Sequence, residues 1–240
     1  MRTAKIAAVV LCAALLAGYG LLRLSKARTF QLFGDIVARV GTEQKVVALT
    51  FDDAPMAADT AVLRLLASEG VRATFYCIGA NIEKDPAAAA AIAAAGHELG
   101  NHSYSHKRMV FKTPGFVARE IERTDALIRA SGYKGAITFR PPYCKKLLAL
   151  PWYLSRRGVT TVTCDLEPDT CFPGDAARME EYVLAGAAPG SIILLHPLCG
   201  EACAAARAAL PGIIKGLKAR GYSFVTVSRL LELRGGAAAL

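Results

Sequence analysis

No C-x-x-C pair occurs among the seven cysteines of this 240-residue chain, which removes the spacing on which a zinc ribbon is built. Clustered Lys/Arg with interleaved aromatics are missing too, so the sequence offers no nucleic-acid interface. No repeat at solenoid period is present, which excludes a stacked-repeat architecture. Acidic residues are absent from the first 30 positions, and residues 6–22 carry no charge of either sign.

That uncharged stretch is apolar except for Gly18, Gly20 and Tyr19, and basic residues flank it on both sides: Arg2 and Lys5 before, Arg23, Lys26 and Arg28 after. At 17 residues it sits at the short limit of a membrane span and is long for a signal-peptide core. A small-x-small cleavage site does not follow. The expectation is therefore an uncleaved N-terminal anchor, with a cleaved signal as the alternative and orientation left open by the two-sided charge. Residues 1–30 are read as anchor plus linker and 31–240 as one catalytic domain, long enough for a sizeable core. Removing the five basic residues of the anchor region from the formal +9 leaves only +4, a mild attraction to an anionic envelope polymer. Cys12 lies in the apolar stretch. The other six cysteines, an even number beyond an export segment, permit disulfides whose pairing the sequence leaves open. Cys77 and Cys164 fall in strand-like runs as buried thiols; Cys144, Cys171, Cys199 and Cys203 fall in loops.

Beyond residue 30 the chain alternates strand-like and helix-like patterns. Residues 35–40 and 45–51 flank a turn at 41–44 and suggest a hairpin. Strands follow at 73–78, 98–101, 136–139, 159–164, 191–195 and 222–227. Between them lie helical patterns, among them an alanine-rich stretch at 86–95 opened by Pro86 and closed by Gly96. This order predicts an α/β fold with about seven parallel strands, a distorted (β/α) barrel behind the N-terminal hydrophobic helix. Chemistry-bearing side chains come just after strands: Asp52 and Asp53, His102, Arg140, Asp165 and His196. The carboxyl ends of parallel strands share one face, so these residues converge.

Two features stand out on that face. Asp52-Asp53 closes a buried apolar run, and adjacent residues of an extended chain point opposite ways, so the two carboxylates can do different jobs. His102 and His106 stand four apart, a spacing that brings both imidazoles to one side of a helical turn. One oxygen and two nitrogens, with room left for solvent, form the open three-ligand set of a catalytic divalent metal; the remaining aspartate is free to act as a base. The bland alternatives are a helix-capping Asp52, a polar helix face for the histidines, a loop histidine at His196 and a surface cation at Arg140.

Thr50-Phe51-Asp52-Asp53, His102-Ser103-Tyr104-Ser105-His106, Arg140-Pro141-Pro142-Tyr143, Asp165 to Asp169 and Leu194-Leu195-His196 resemble, in order, the five motifs of the polysaccharide deacetylases (nodulation-protein-B homology, carbohydrate esterase family 4). The likeness spans roughly residues 35–233. It implies that Asp53, His102 and His106 bind a divalent metal, zinc first, with cobalt, nickel or iron as alternatives. It further implies Asp52 as general base, Tyr143 as the backbone N–H donor to an oxyanion, and His196 as the acid that protonates the leaving amine. Arg140 would fix Asp52, and Asp169 would tune the His196 side. The implied reaction is hydrolysis of N-acetyl groups on a glycan such as peptidoglycan, a chitin-type oligomer or an exopolysaccharide. An O-acetyl esterase and a catalytically idle glycan-binding protein are the alternatives. The implied setting is exported or membrane-anchored, with an acetylated glycan and the membrane as partners and no nucleic acid. Two positions depart from the family pattern. Ala54 replaces a glycine, where alanine costs little if φ is negative, and Thr170 replaces a tryptophan that lines the substrate groove. His97, Asp165 and Glu167 are read as structural.

Overall fold

The computed structural model describes residues 2–56 and 59–234. Its first element, α1 (Arg2–Lys26), is an uninterrupted helix of 25 residues, and from residue 9 to residue 23 its side chains are exposed. Residues 9–26 form the one stretch of the described residues long and apolar enough to cross a membrane, and 6% of it is buried. The linker expected at the end of residues 1–30 instead continues α1 to Lys26 and then runs along the body. The amide of Lys146 donates to Ser25 O, the Thr163 hydroxyl donates to Arg28 O, and Arg28 pairs with Glu167.

The body is built on β1 (Ile36–Val37), β2 (Val46–Ala54), β3 (Thr74–Cys77), β4 (Glu98–Asn101), β5 (Thr161–Val162), β6 (Ile192–Leu195) and β7 (Ser223–Val225). Between β2 and β4 run α2 (Asp59–Ser68), α3 (Gly79–Lys84) and α4 (Pro86–Ala94). Between β4 and β6 come α5 (Pro114–Ala130), α6 (Ala149–Arg156), α7 (Pro168–Cys171) and α8 (Ala176–Gly186). The long α9 (Ala204–Ala219) and short α10 (Val227–Leu231) flank β7. Every strand pairing is parallel: β4-β3-β2-β6 in order, with β7 also on β2, and β1 on β5.

A parallel strand covered by helices on both faces reads as a continuous apolar run rather than an alternation. In β2 this applies to Val46 through Phe51, all buried, with Val47, Leu49 and Phe51 facing one core cluster and Val46 and Ala48 the other. Phe51 meets Phe75 edge-on at 5.1 Å between centroids; burying a side chain of this size is worth roughly 1.5–3 kcal/mol.

The ring of strands is continuous only on one side. Between β4 and β5 the connection narrows to single-residue bridges at Phe139, paired with Asn101 and Thr161, and between β5 and β6 to Leu166 with Ile193. The strand expected at 136–139 is reduced to that one bridge. The expected hairpin is absent as well: β1 pairs in parallel with β5, not with β2. The cause is burial. Thr161 N and Thr163 N donate to Asp35 O and Val37 O, and this register sinks Val37 and Val40 against Val162 and Cys164. Of the six cysteines beyond residue 30, Cys199 and Cys203 form a disulfide, Cys77, Cys144 and Cys164 are buried thiols, and Cys171 is exposed.

Candidate active site

The carboxyl ends of β2, β4 and β6 bring the predicted residues together. At the end of β2 the register on β3 shifts between Phe51 and Ala54, and Asp53 adopts φ 68°. This is a left-handed conformation that aspartate tolerates better than most residues. The kink turns the two carboxylates apart. Asp52 is 3% exposed and points inward; the Asp53 side chain remains 31% exposed. Asn81 holds the kink by donating to Asp53 O at 2.9 Å. Ala54 carries no positive φ and is fully buried, so the departure from glycine costs the backbone nothing there.

His102 and His106 meet without a helix. Residues 102–106 form a tight loop in which Ser103 and His106 take φ of 64° and 55°, and the two rings stand 5.0 Å apart. The expected helical turn is therefore replaced by a pinned loop. Asn101 accepts from Ser103 N, Ser103 Oγ accepts from His106 N, and Glu120 accepts from Tyr104 N, Ser105 N and the Ser105 hydroxyl. Glu120 escaped the sequence reading. Its signal is a carboxylate inside the apolar stripe of α5, between Val117, Ile121 and Thr124, all buried.

The donor atoms of Asp53, His102 and His106 all lie within 4.8 Å of one another. His102 Nδ1 lies 2.8 Å from Arg140 O, and a carbonyl only accepts, so this nitrogen carries the proton and Nε2 presents its lone pair. That Nε2 is 3.8 Å from Asp53 Oδ1, and His106 Nε2 is 3.3 Å from the same oxygen. Asp53 Oδ1 is sealed from solvent yet accepts no hydrogen bond. Burial, then the neighbouring His102, lowers the His106 pKa and favours the neutral ligand form. Lone pairs converging with an orphaned carboxylate oxygen fit a divalent cation.

Beside this triad, Asp52 Oδ2 lies 3.5 Å from His102 Nε2, while Oδ1 accepts from Arg140 Nη1 at 2.7 Å. Arg140 is completely buried. It also donates to Thr50 Oγ1 and Thr163 O and lies 4.1 Å over the Tyr76 ring. Burial works against an ionised Asp52, but Arg140 first, then His102 and His196, hold its carboxyl below the usual range. Thr50 and Tyr76 thus complete the Arg140 seat, a role that no spacing in the sequence announced.

His196 follows β6. Its backbone N–H donates to Asp169 Oδ2 at 2.6 Å, and its Nδ1 lies 3.1 Å from the same oxygen. Burial disfavours the imidazolium, but the Asp169 bond, Asp52 and Asp53 outweigh it and the pKa is pushed up to about 9. Tyr143 takes φ 59° and ψ 17°, and its ring packs on His106 at 4.8 Å. The residues read as structural hold structural positions. Asp165 accepts from Ser191 Oγ and Ile192 N, Glu167 meets Arg28, and His97 accepts from Ala73 N, with burial dropping its pKa to about 4. Phe172 packs on Tyr182, Tyr104 donates to Glu83 beneath Arg123, and Trp152 is 43% exposed.

An orphaned carboxylate, two histidines and a second, inward acid at the carboxyl ends of parallel strands define a metal-site hydrolase architecture. Comparison with known proteins is specific. Residues 39–162 match the polysaccharide deacetylase family model. The chain is 35% identical over 199 residues to a bifunctional xylanase/deacetylase of Pseudobutyrivibrio xylanivorans, covering 80% of this chain and 31% of that protein. It is 32% identical over 188 residues to a peptidoglycan-N-acetylglucosamine deacetylase of Bacillus cereus, covering 78% of this chain and 68% of that one. The crystal structure of the Bc1960 peptidoglycan N-acetylglucosamine deacetylase superposes with a TM-score of 0.76 at 29% identity, over 80% of this chain and 91% of that chain. The chain belongs to the polysaccharide deacetylase family, carbohydrate esterase family 4, and it spans about a third of the length of the xylanase/deacetylase that it matches.

Proposed function

We propose that the protein removes N-acetyl groups from an N-acetylated glycan of the cell envelope, with the amino sugars of peptidoglycan as the leading substrate. The observation that carries this reading is the convergence of Asp53, His102 and His106 with a free oxygen of Asp52 beside them. The relatives' activities on peptidoglycan N-acetylglucosamine support it. Asp53, His102 and His106 hold the metal, with zinc favoured by the two nitrogens and one oxygen. A divalent cation held there supplies Lewis-acid polarisation of an acetamido carbonyl and acidification of water. Asp52, kept ionised by Arg140, accepts the proton of the attacking water through Oδ2. The backbone N–H of Tyr143 donates to the developing oxyanion, a contribution of about 3 kcal/mol in comparable sites. His196, protonated because Asp169 binds its Nδ1, gives a proton to the departing amine. Residues 1–30 serve as an uncleaved export anchor with its connection, and 31–240 as the catalytic domain.

The test is acetate release from a panel of N- and O-acetylated glycans, with metal stripped by chelation and restored with zinc. Release from N-acetylated substrates should depend on metal. Asp52→Asn should lower the rate by a factor on the order of a thousand while calorimetry shows metal still bound. Metal binding without release from any N-acetyl substrate refutes the reading.

A further inference from the structure

A groove of about 800 Å³ runs between the N-terminal helix and the metal triad, of which His106 lines it together with Tyr143. Gly18, Leu21, Leu22 and Ser25 of α1 form part of its wall. These are the last turns of the helix apolar enough to span a membrane. At 1.5 Å per residue, Gly18 to Ser25 rises only about 10 Å, so the groove opens at the depth where that helix leaves a bilayer.

The rest of the lining has a restricted chemistry. Val110 and Phe111 extend the apolar wall, with Phe111 80% exposed. Lys107, Arg108, Lys112 and Lys145 rim it. Among the described residues no carboxylate and no side-chain amide lines it. A neutral sugar polymer is recognised by such hydrogen-bonding groups, and four cations on an apolar wall give it little. The same set is complementary to a phosphate with a hydrocarbon chain attached. Surface apolarity follows the groove. Apart from α1, the large exposed apolar side chains of the described residues occur only at 30–33, at Phe111 and at 143–152. One of these segments is tied to the end of α1, where Lys146 N donates to Ser25 O, and Gly34, just after Phe33, abuts Ser155 of α6.

We propose that the groove seats a membrane-borne glycan, an N-acetylated sugar joined through phosphate to a long hydrocarbon chain. The acetamido group reaches the metal triad, the phosphate meets the basic rim, and the chain lies along Leu21, Leu22 and Phe111 toward the bilayer. The proposal rests on the deacetylase reading for what happens to the sugar, but the docking is separable from it.

The test uses the full chain in nanodiscs of neutral phosphatidylcholine, stripped of metal, with binding read by calorimetry. The probe is an N-acetylglucosaminyl phosphate ester of a long-chain alcohol. It is compared with a water-soluble chitin-type oligomer and with the sugar-free alkyl phosphate. The phosphate-linked lipid sugar should bind at least tenfold more tightly than either. A charge-assisted contact to the phosphate contributes about tenfold or more, so Lys107→Gln/Lys112→Gln should weaken the lipid sugar by at least about tenfold and leave the oligomer unchanged. Leu22→Ser, on the apolar wall, should lower lipid-sugar affinity without touching the rim. Equal affinity for lipid sugar and oligomer overturns the proposal, as does equal affinity for the sugar-free phosphate, and so does indifference to both variants. With zinc restored, acetate release should follow the same order. Binding in that order with no release from any substrate overturns deacetylation and leaves the groove assignment standing.

Discussion

Replacing Asp169 by asparagine separates the acid role of His196 from a merely structural one. In the wild type the imidazole is held protonated to about pH 9, with Asp169 contributing through a 3.1 Å contact to Nδ1. Asp169→Asn keeps the size and an acceptor oxygen but removes the charge, so burial is no longer outweighed to the same degree and the pKa falls toward the ordinary 6.5. At pH 8 the protonated fraction would drop from about 0.9 to about 0.03, a loss of roughly 30-fold in kcat/KM; at pH 6 the loss would be under twofold. The assay is the pH profile of kcat/KM for acetate release, paired with NMR titration of the His196 ring in the metal-free protein. An unchanged basic limb, or an equal loss at every pH, refutes the acid assignment. The linked stability has a defined sign. His196 has a raised folded pKa, so its contribution is full below about pH 6.5 and is lost as pH rises through about 9. The variant should lose most of its stability deficit in alkaline solution.

Three further outcomes are expected. Arg140→Met leaves Asp52 buried without its cation and should destabilise by about 3–5 kcal/mol in chemical denaturation; adding Asp52→Asn should recover part of that, the coupling being read from the double-mutant cycle. Glu120→Ala removes the acceptor of three loop donors, so zinc affinity should fall about 10- to 100-fold by competition with a chelator, without loss of the folded-state circular dichroism signal. Val47→Ala, at a fully buried position of β2, should cost roughly 2–4 kcal/mol in unfolding while zinc affinity stays unchanged.

The alternation of parallel strands and helices was legible in the residues alone, because burial on both faces of β2 writes the apolar run Val46 to Leu49. The reactive groups were legible for a related reason: side chains that follow strands of a parallel sheet share one face, so Asp52, Asp53, His102, Arg140 and His196 meet wherever the intervening helices pack. Tertiary structure decided what local pattern cannot encode. The pairing of β1 with β5 depends on which unpaired edge lies beside Val37, and that edge is 125 residues away in the chain. The loop that joins His102 to His106 depends on Glu120 reaching back from α5, and the seat of Arg140 on Thr50, Tyr76 and Thr163 brings together β2, β3 and the residue that follows β5. Most consequentially, residues read as a free connection after the anchor prove to be bound to the body, because Ser25, Ala27 and Arg28 offer hydrogen-bond partners that Lys146, Thr163 and Glu167 need. Hydrogen bonds between distant segments have no period and leave no spacing to read; only the folded chain shows that the N-terminal helix lines the groove.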